Sequence, residues 1–177
     1  MHPIIPQIVG IFAVVLFLLS YQLKRRRDII ICNATSRTLY VLQYLLLGAI
    51  SGAVLDVVGV FASVVAQKKD HPFIKKHIRL AFVFVNAMIV AAGLSICILR
   101  HSVLDLLPMV GVLFQIGAFW PSDEKIIRRI SLAAAPFWLA YNLASAAYGS
   151  AIGDLLSMAS IVVAMIKYRE KKTKDAE

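Results

Sequence analysis

The sequence predicts an all-α membrane protein of seven transmembrane helices, arranged as two parallel triple-helix bundles joined by a linker helix (3+1+3). Three observations carry that expectation. The 177 residues are 60 % hydrophobic with a mean hydropathy of +0.78, more apolar surface than a soluble chain of this size buries. The apolar residues fall in blocks near 20 long, about what ~30 Å of hydrocarbon requires at ~1.5 Å per residue. Finally, part of the chain occurs twice: FWLAYNLASAAYGSAIGD at 137–154 aligns with YVLQYLLLGAISGAVLDV at 40–57 at an offset of 97, and over 27 positions eight are identical, among them Leu42/Leu139, Tyr44/Tyr141 and Gly52/Gly149. Duplicated membrane units commonly surround a central site.

The first block, Ile4 to Leu23, lacks the basic start and small-residue cleavage site of a signal peptide and is followed by KRRR, so it stays as a span. A second helix covers about Ile29 to Ala49 and turns tightly through Ile50-Ser51-Gly52 into a short third, about Ala53 to Gln67. The polar stretch 67–79 is broken at His71-Pro72. A fourth helix, Ile78 to Leu99, has no counterpart in the repeat and reads as the connector. The fifth, Val103 to Trp120, ends at Pro121; the sixth, Ile126 to Ala147, turns through Tyr148-Gly149-Ser150 into the seventh, which ends near Tyr168. The domains are thus 1–67 (first bundle), 68–101 (basic loop and linker helix), 102–168 (second bundle) and 169–177 (a solvated, cytoplasmic tail).

The net charge of +9 comes as short basic clusters between apolar blocks, not as a continuous basic face, so it predicts topogenic loops and no nucleic acid. Of 19 Lys and Arg residues, 17 fall on one side of a seven-helix chain. The positive-inside rule makes that side cytoplasmic, with the N-terminus outside and the C-terminus inside. The two cysteines, Cys32 and Cys97, lie in apolar segments and predict neither disulfide nor metal. The histidines are scattered, and no hydrolase triad, zinc spacing or phosphate-binding glycine loop appears, so an enzyme, a cofactor and a metal are all unexpected.

A three-helix repeat with a central connector resembles the PQ-loop and SWEET superfamily. Trp138-Leu139-Ala140-Tyr141 is similar to that family's W-x-x-Y, and Asp154 falls where it usually has a substrate-facing Asn. LLPMVG at 106–111, Asn142 after an aromatic residue, and an acid twelve residues beyond it resemble the YgjV-type bacterial inner-membrane proteins. The resemblance implies a bacterial inner-membrane location and a small-solute transporter or facilitator with a site between the repeats. It also implies a hinge at Pro121, although the family's Pro-Gln pair is incomplete here: Ser122 follows that proline, and the first copy reads Ser20-Tyr21-Gln22.

Ionisable groups inside a bilayer cost about 2.5–3.5 kcal/mol on insertion scales, which draws attention to Asp56, Asp154 and Arg37. The two acids are one residue out of step at an offset of 97, so an inserted residue or bulge has to separate them. They either share a proton, bind a cation or face a cationic or hydroxylated solute, or else sit at the outer interface as helix N-terminal anions. Axial depth argues against a direct Arg37–Asp56 pair and leaves Arg37 to snorkel or make a structural hydrogen bond, or else to salt-bridge across the cavity or bind an anionic solute. Trp138, Tyr141 and Asn142 would grip the solute, while Gln43, Gln115 and Asn86 read as interhelical packing hydrogen bonds. Trp120, Tyr148 and Tyr168 read as interface aromatics. The substrate-binding set is therefore Asp56, Asp154, Trp138, Tyr141, Asn142 and Arg37, with the lipid bilayer and a homo-oligomer as further partners. The rival function is a non-transporting scaffold or receptor that holds a partner or lipid.

Overall fold

A computed structural model describes the backbone of residues 4–174 and the side chains of residues 4–166. His2 and the side chains of the expected tail, 169–177, with that of Tyr168, lie outside the described residues. The described chain is all-helical: α1 (Ile4–Gln22), α2 (Arg26–Leu47), α3 (Ile50–Gln67), the short α4 (Pro72–Lys76), α5 (Ile78–Arg100), α6 (Leu106–Gly117), α7 (Glu124–Ala144) and α8 (Tyr148–Lys174), with a 3₁₀ turn at Val103–Asp105. Four stretches, Ile4–Gln22, Ile50–Gln67, Ile78–Arg100 and Tyr148–Ile166, are long and apolar enough to cross a membrane.

The element boundaries follow local chemistry. The α2–α3 turn sits at Gly48, whose left-handed φ of 73° costs nothing without a Cβ. Its counterpart between α7 and α8 is Ala146 at φ 55°. Both turns therefore come two to three residues before the expected ones, and α3 starts at Ile50 rather than Ala53. Pro72 opens α4 inside the polar loop, because a first-turn residue needs no N–H partner. Asp123 caps α7 by accepting from Lys125 N at 2.7 Å. Past Ile166, α8 continues to Lys174, beyond the expected end near Tyr168, because REKKTK holds neither Gly nor Pro.

The six long helices other than α5 form a ring. α1 packs on α2, α2 on α3, α3 on α6, α6 on α7, α7 on α8, and α8 back on α1, while α5 leans on the outside of α3 and α6. Apolar side chains cover the outer surface, among them Ile8, Ile11, Phe12, Val15 and Leu19 on α1 and Leu80, Val83 and Phe84 on α5. Polar residues turn inward instead. Inverted in this way relative to a soluble protein, the chain suits a hydrocarbon surround.

Burial recurs with one period. Every buried position of α2 (Ile29, Ile30, Asn33, Ser36, Arg37, Tyr40, Gln43, Tyr44) has a buried partner 98 residues later in α7 (Ile127, Arg128, Ser131, Ala134, Ala135, Trp138, Tyr141, Asn142). The same spacing carries Gly52, Ala53, Leu55, Asp56, Gly59, Ser63 and Ala66 of α3 onto buried residues of α8. It also carries Gly48 onto Ala146. The burial spacing thus differs by one residue from the identities at 97: alanine and leucine match by chance, whereas burial phase is fixed by 3.6-residue helical geometry. At 98, Asp56 and Asp154 fall in step and no bulge separates them.

Candidate functional site

The inward stripe of α2 is Asn33, Ser36, Arg37, Tyr40, Gln43 and Tyr44, spaced three and four apart along one face. α7 faces it with Ser131, Trp138, Tyr141 and Asn142, while α3 and α8 add Asp56 and Asp154. Five of the six residues expected to bind solute border one central cavity: Arg37, Asp56, Trp138, Asn142 and Asp154, joined by Phe17, Tyr40 and Tyr44. At about 20 Å³ it holds roughly one water molecule.

Arg37 and Asp56 form a buried ion pair, both residues under 5 % exposed, which overturns the expectation that depth keeps them apart. Because α3 begins at Ile50, Asp56 lies two turns from the helix start instead of one. Counted from Gly48, Arg37 is about 16 Å and Asp56 about 12 Å along their helices, a difference that a long guanidinium arm spans. Arg37 Nε also donates to Asn33 Oδ1 at 3.2 Å, and the guanidinium carbon lies 5.8 Å from the Trp138 ring centroid, over its face. Gly59 makes room for it, since a Cβ there would come within 3.0 Å of Arg37 Nη1.

Asp154 is held differently. Its Oδ2 accepts from Asn142 Nδ2 at 2.8 Å, and Asn142 Oδ1 accepts from the Tyr44 hydroxyl at 2.7 Å. Among the described residues the ion pairs are Arg37–Asp56 and Arg100–Asp105, so no basic side chain neutralises Asp154. Tyr40 stacks on Tyr44 and Tyr44 on Trp138, with centroids 6.1 and 6.3 Å apart. Trp138 itself rests against Gly111, where a Cβ would come within 2.7 Å of its ring nitrogen.

Polar networks lie toward both ends of the helix ring. Toward α2's C-terminal end, Tyr141 is drawn away from the cavity: its hydroxyl pairs with Ser51 Oγ at 2.7 Å and accepts from Gly52 N at 2.9 Å. Ser51 also donates to Asp105 Oδ1 at 2.6 Å, and Arg100 Nε lies 3.3 Å from Asp105 Oδ2. At the opposite, basic end Arg26 donates to the carbonyls of Ala66, Phe119 and Pro121. Lys69 Nζ donates to Trp120 O and Ser122 Oγ, both at 2.7 Å, and Arg128 donates to Leu23 O. Burial, reinforced by the neighbouring Arg26, lowers the pKa of the Lys69 ammonium.

Pro121 lies outside any helix: α6 ends at Gly117, so this proline shapes the connection to α7 and bends no span. Pro136 lies in the interior of α7, two residues before Trp138. Gln43 and Gln115 bond across helices as expected, to Ser150 and to Tyr21 with Ser131, but Asn86 bonds back to Phe82 O on its own helix. Trp120 packs edge-on against Phe82, and Tyr148 is exposed. Tyr40, Tyr44, Asn33, Ser51, Asp105 and Pro136 line or adjoin this arrangement without having been read from the sequence as site residues. The polar and aromatic stripe on α2, repeating every three to four residues in an otherwise apolar helix, was the signal that could have found the first three.

A family model described as bacterial inner membrane protein matches residues 4–172. No curated protein and no solved structure matches the chain.

Proposed function

Since the chain belongs to the Imp-YgjV family of bacterial inner membrane proteins, we propose that it is a small-solute carrier or facilitator of that membrane, not an enzyme, with its site at the centre of the helix ring. The observation that carries this reading is the central cavity itself. A buried arginine, two buried aspartates and a stack of three aromatic rings converge there. Packing alone gives no reason to bring two carboxylates into a membrane bundle, since each is expensive to desolvate.

In this proposal α1–α3 and α6–α8 are the two parallel bundles of a 3+1+3 chain, with α5 as linker, the PQ-loop and SWEET-like plan. The 98-residue recurrence of burial and the packing of α1 on α8 and α3 on α6 support it. The basic clusters face the cytoplasm and the N-terminus lies outside, supported by the one-sided distribution of Lys and Arg. The networks at the two ends act as gates. The Tyr141–Ser51–Asp105 cluster closes the outer end, and Arg26 with Lys69 closes the inner one. Pro136 takes the hinge role first given to Pro121. Its missing N–H leaves the Leu132 carbonyl without a helical donor and α7 free to bend beside Trp138.

The smallness of the cavity favours a second reading, a non-transporting scaffold or receptor whose interior is simply packed. Proteoliposomes separate the two. A carrier shows solute flux that Asp154→Ala abolishes while the variant still folds; absence of flux for every solute class offered, with intact fold, points to the scaffold or receptor.

A further inference from the structure

One half of the site already contains a bound cation, supplied by the protein. Asp56 pairs with the Arg37 guanidinium, which lies over the Trp138 ring, and Gly59 leaves it space. Advancing each α2 and α3 member of that arrangement by the 98 residues that relate the buried faces, and returning the α7 member by the same amount, gives the corresponding set in the other half. Asp56 becomes Asp154, the Trp138 ring becomes Tyr40, Arg37 becomes Ala135 and Gly59 becomes Ser157. The acid and the aromatic face are kept, and both border the cavity. The guanidinium is not kept: position 135 is alanine, and among the described residues the hydrogen-bond partner of Asp154 is the neutral Asn142 amide. A buried carboxylate with a neutral partner is poorly compensated, and a hydroxyl-bearing solute would leave it so.

We propose that the site takes a small organic cation, whose guanidinium or primary ammonium group is held by Asp154 against the face of Tyr40, as Arg37 is held by Asp56 against Trp138. Resting on the central-site reading above, this inference names its substrate class. An aromatic face adds to the attraction of the acid because the ring quadrupole presents negative potential to a cation. The closed cavity of about 20 Å³ has to widen to admit such a group. Pro136, adjacent to Ala135, puts the weakest part of α7 beside the place where widening is needed.

The test is a binding titration of the purified full chain with methylguanidinium, methylammonium and the neutral isostere methylurea at low millimolar concentration. The readout is Trp138 fluorescence in a Trp120→Phe background, since the chain has two tryptophans. At least one cation should give a saturable change and methylurea none, and comparing the two cations tells which group is preferred. Asp154→Asn should weaken the response at least tenfold. In case that variant misfolds, Ala135→Arg combined with Ser157→Gly rebuilds the first half's arrangement in the second. It should abolish cation binding while melting no lower than the parent. Equal binding of methylurea, a cation response that survives both variants, or no saturable response to either cation overturns the inference. In proteoliposomes, cation binding without flux sinks the carrier reading and leaves this one standing; flux of a neutral solute without cation binding does the reverse.

Discussion

Arg37 and Asp56 stabilise the site only as a pair. Removing one partner strands a buried charge, which costs about 3–5 kcal/mol, whereas exchanging both for apolar groups of similar size is often neutral. Arg37→Met should therefore lower stability in detergent by roughly that amount, and Arg37→Met with Asp56→Leu should recover most of it, measured by chemical unfolding. Additive losses in the double variant would show that the pair is not coupled. Gly52 is a second sensitive residue. A Cβ there would come within 2.8 Å of Tyr141 Cε1, and its N–H serves the Tyr141 hydroxyl. Gly52→Ala should cost about 1–3 kcal/mol by overpacking, and Tyr141→Phe in the same background should lose little more, because the bond is already disturbed. Asp56, Asp154 and Arg37 were legible in the sequence as ions inside apolar blocks. Their pairing was not, since it turns on a three-residue shift in the start of α3, the least certain feature of a sequence reading.

At the scale of elements, the two hairpins differ in their turn residue. Gly48 adopts φ 73° freely, while Ala146 holds φ 55° against its Cβ. A left-handed non-glycine residue costs roughly 1–2 kcal/mol, so Ala146→Gly should raise the melting temperature and Gly48→Ala should lower it. Shifts of the reversed sign, or none, would mean that neighbouring packing sets both turns. Pro136 makes the corresponding point within α7. Pro136→Ala restores a donor to the Leu132 carbonyl and removes the ring clash, so the helix should become more stable by circular dichroism melts, and proteoliposome flux should slow. Faster flux in that variant would remove Pro136 as the hinge. The helices themselves were readable to within a few residues from hydropathy. The turns were misplaced because Ser51-Gly52 and Gly149-Ser150 look like turn residues, yet serve as close-packing positions in the first turns of α3 and α8.

At the scale of the molecule, the proposed orientation predicts which loops face which compartment. In a background with Cys32→Ala and Cys97→Ala, a membrane-impermeant maleimide added outside should label His101→Cys and leave His71→Cys untouched until the membrane is permeabilised; the opposite pattern would invert the topology. The sequence by itself determined that this is a helical membrane protein, where its apolar blocks lie, and which few ionisable residues need explaining. It could do so because bilayer insertion depends on local composition and length. Only the tertiary structure decided that Arg37 neutralises Asp56, that Asp154 has a neutral partner instead, and that Tyr141 turns away from the cavity toward Ser51. It also showed buried positions of α2 recurring in α7 at a spacing of 98 residues, where the identities had suggested 97. Those facts depend on helical phase and on contacts between segments nearly a hundred residues apart, and a one-residue error in phase rotates a side chain by about 100° around its helix.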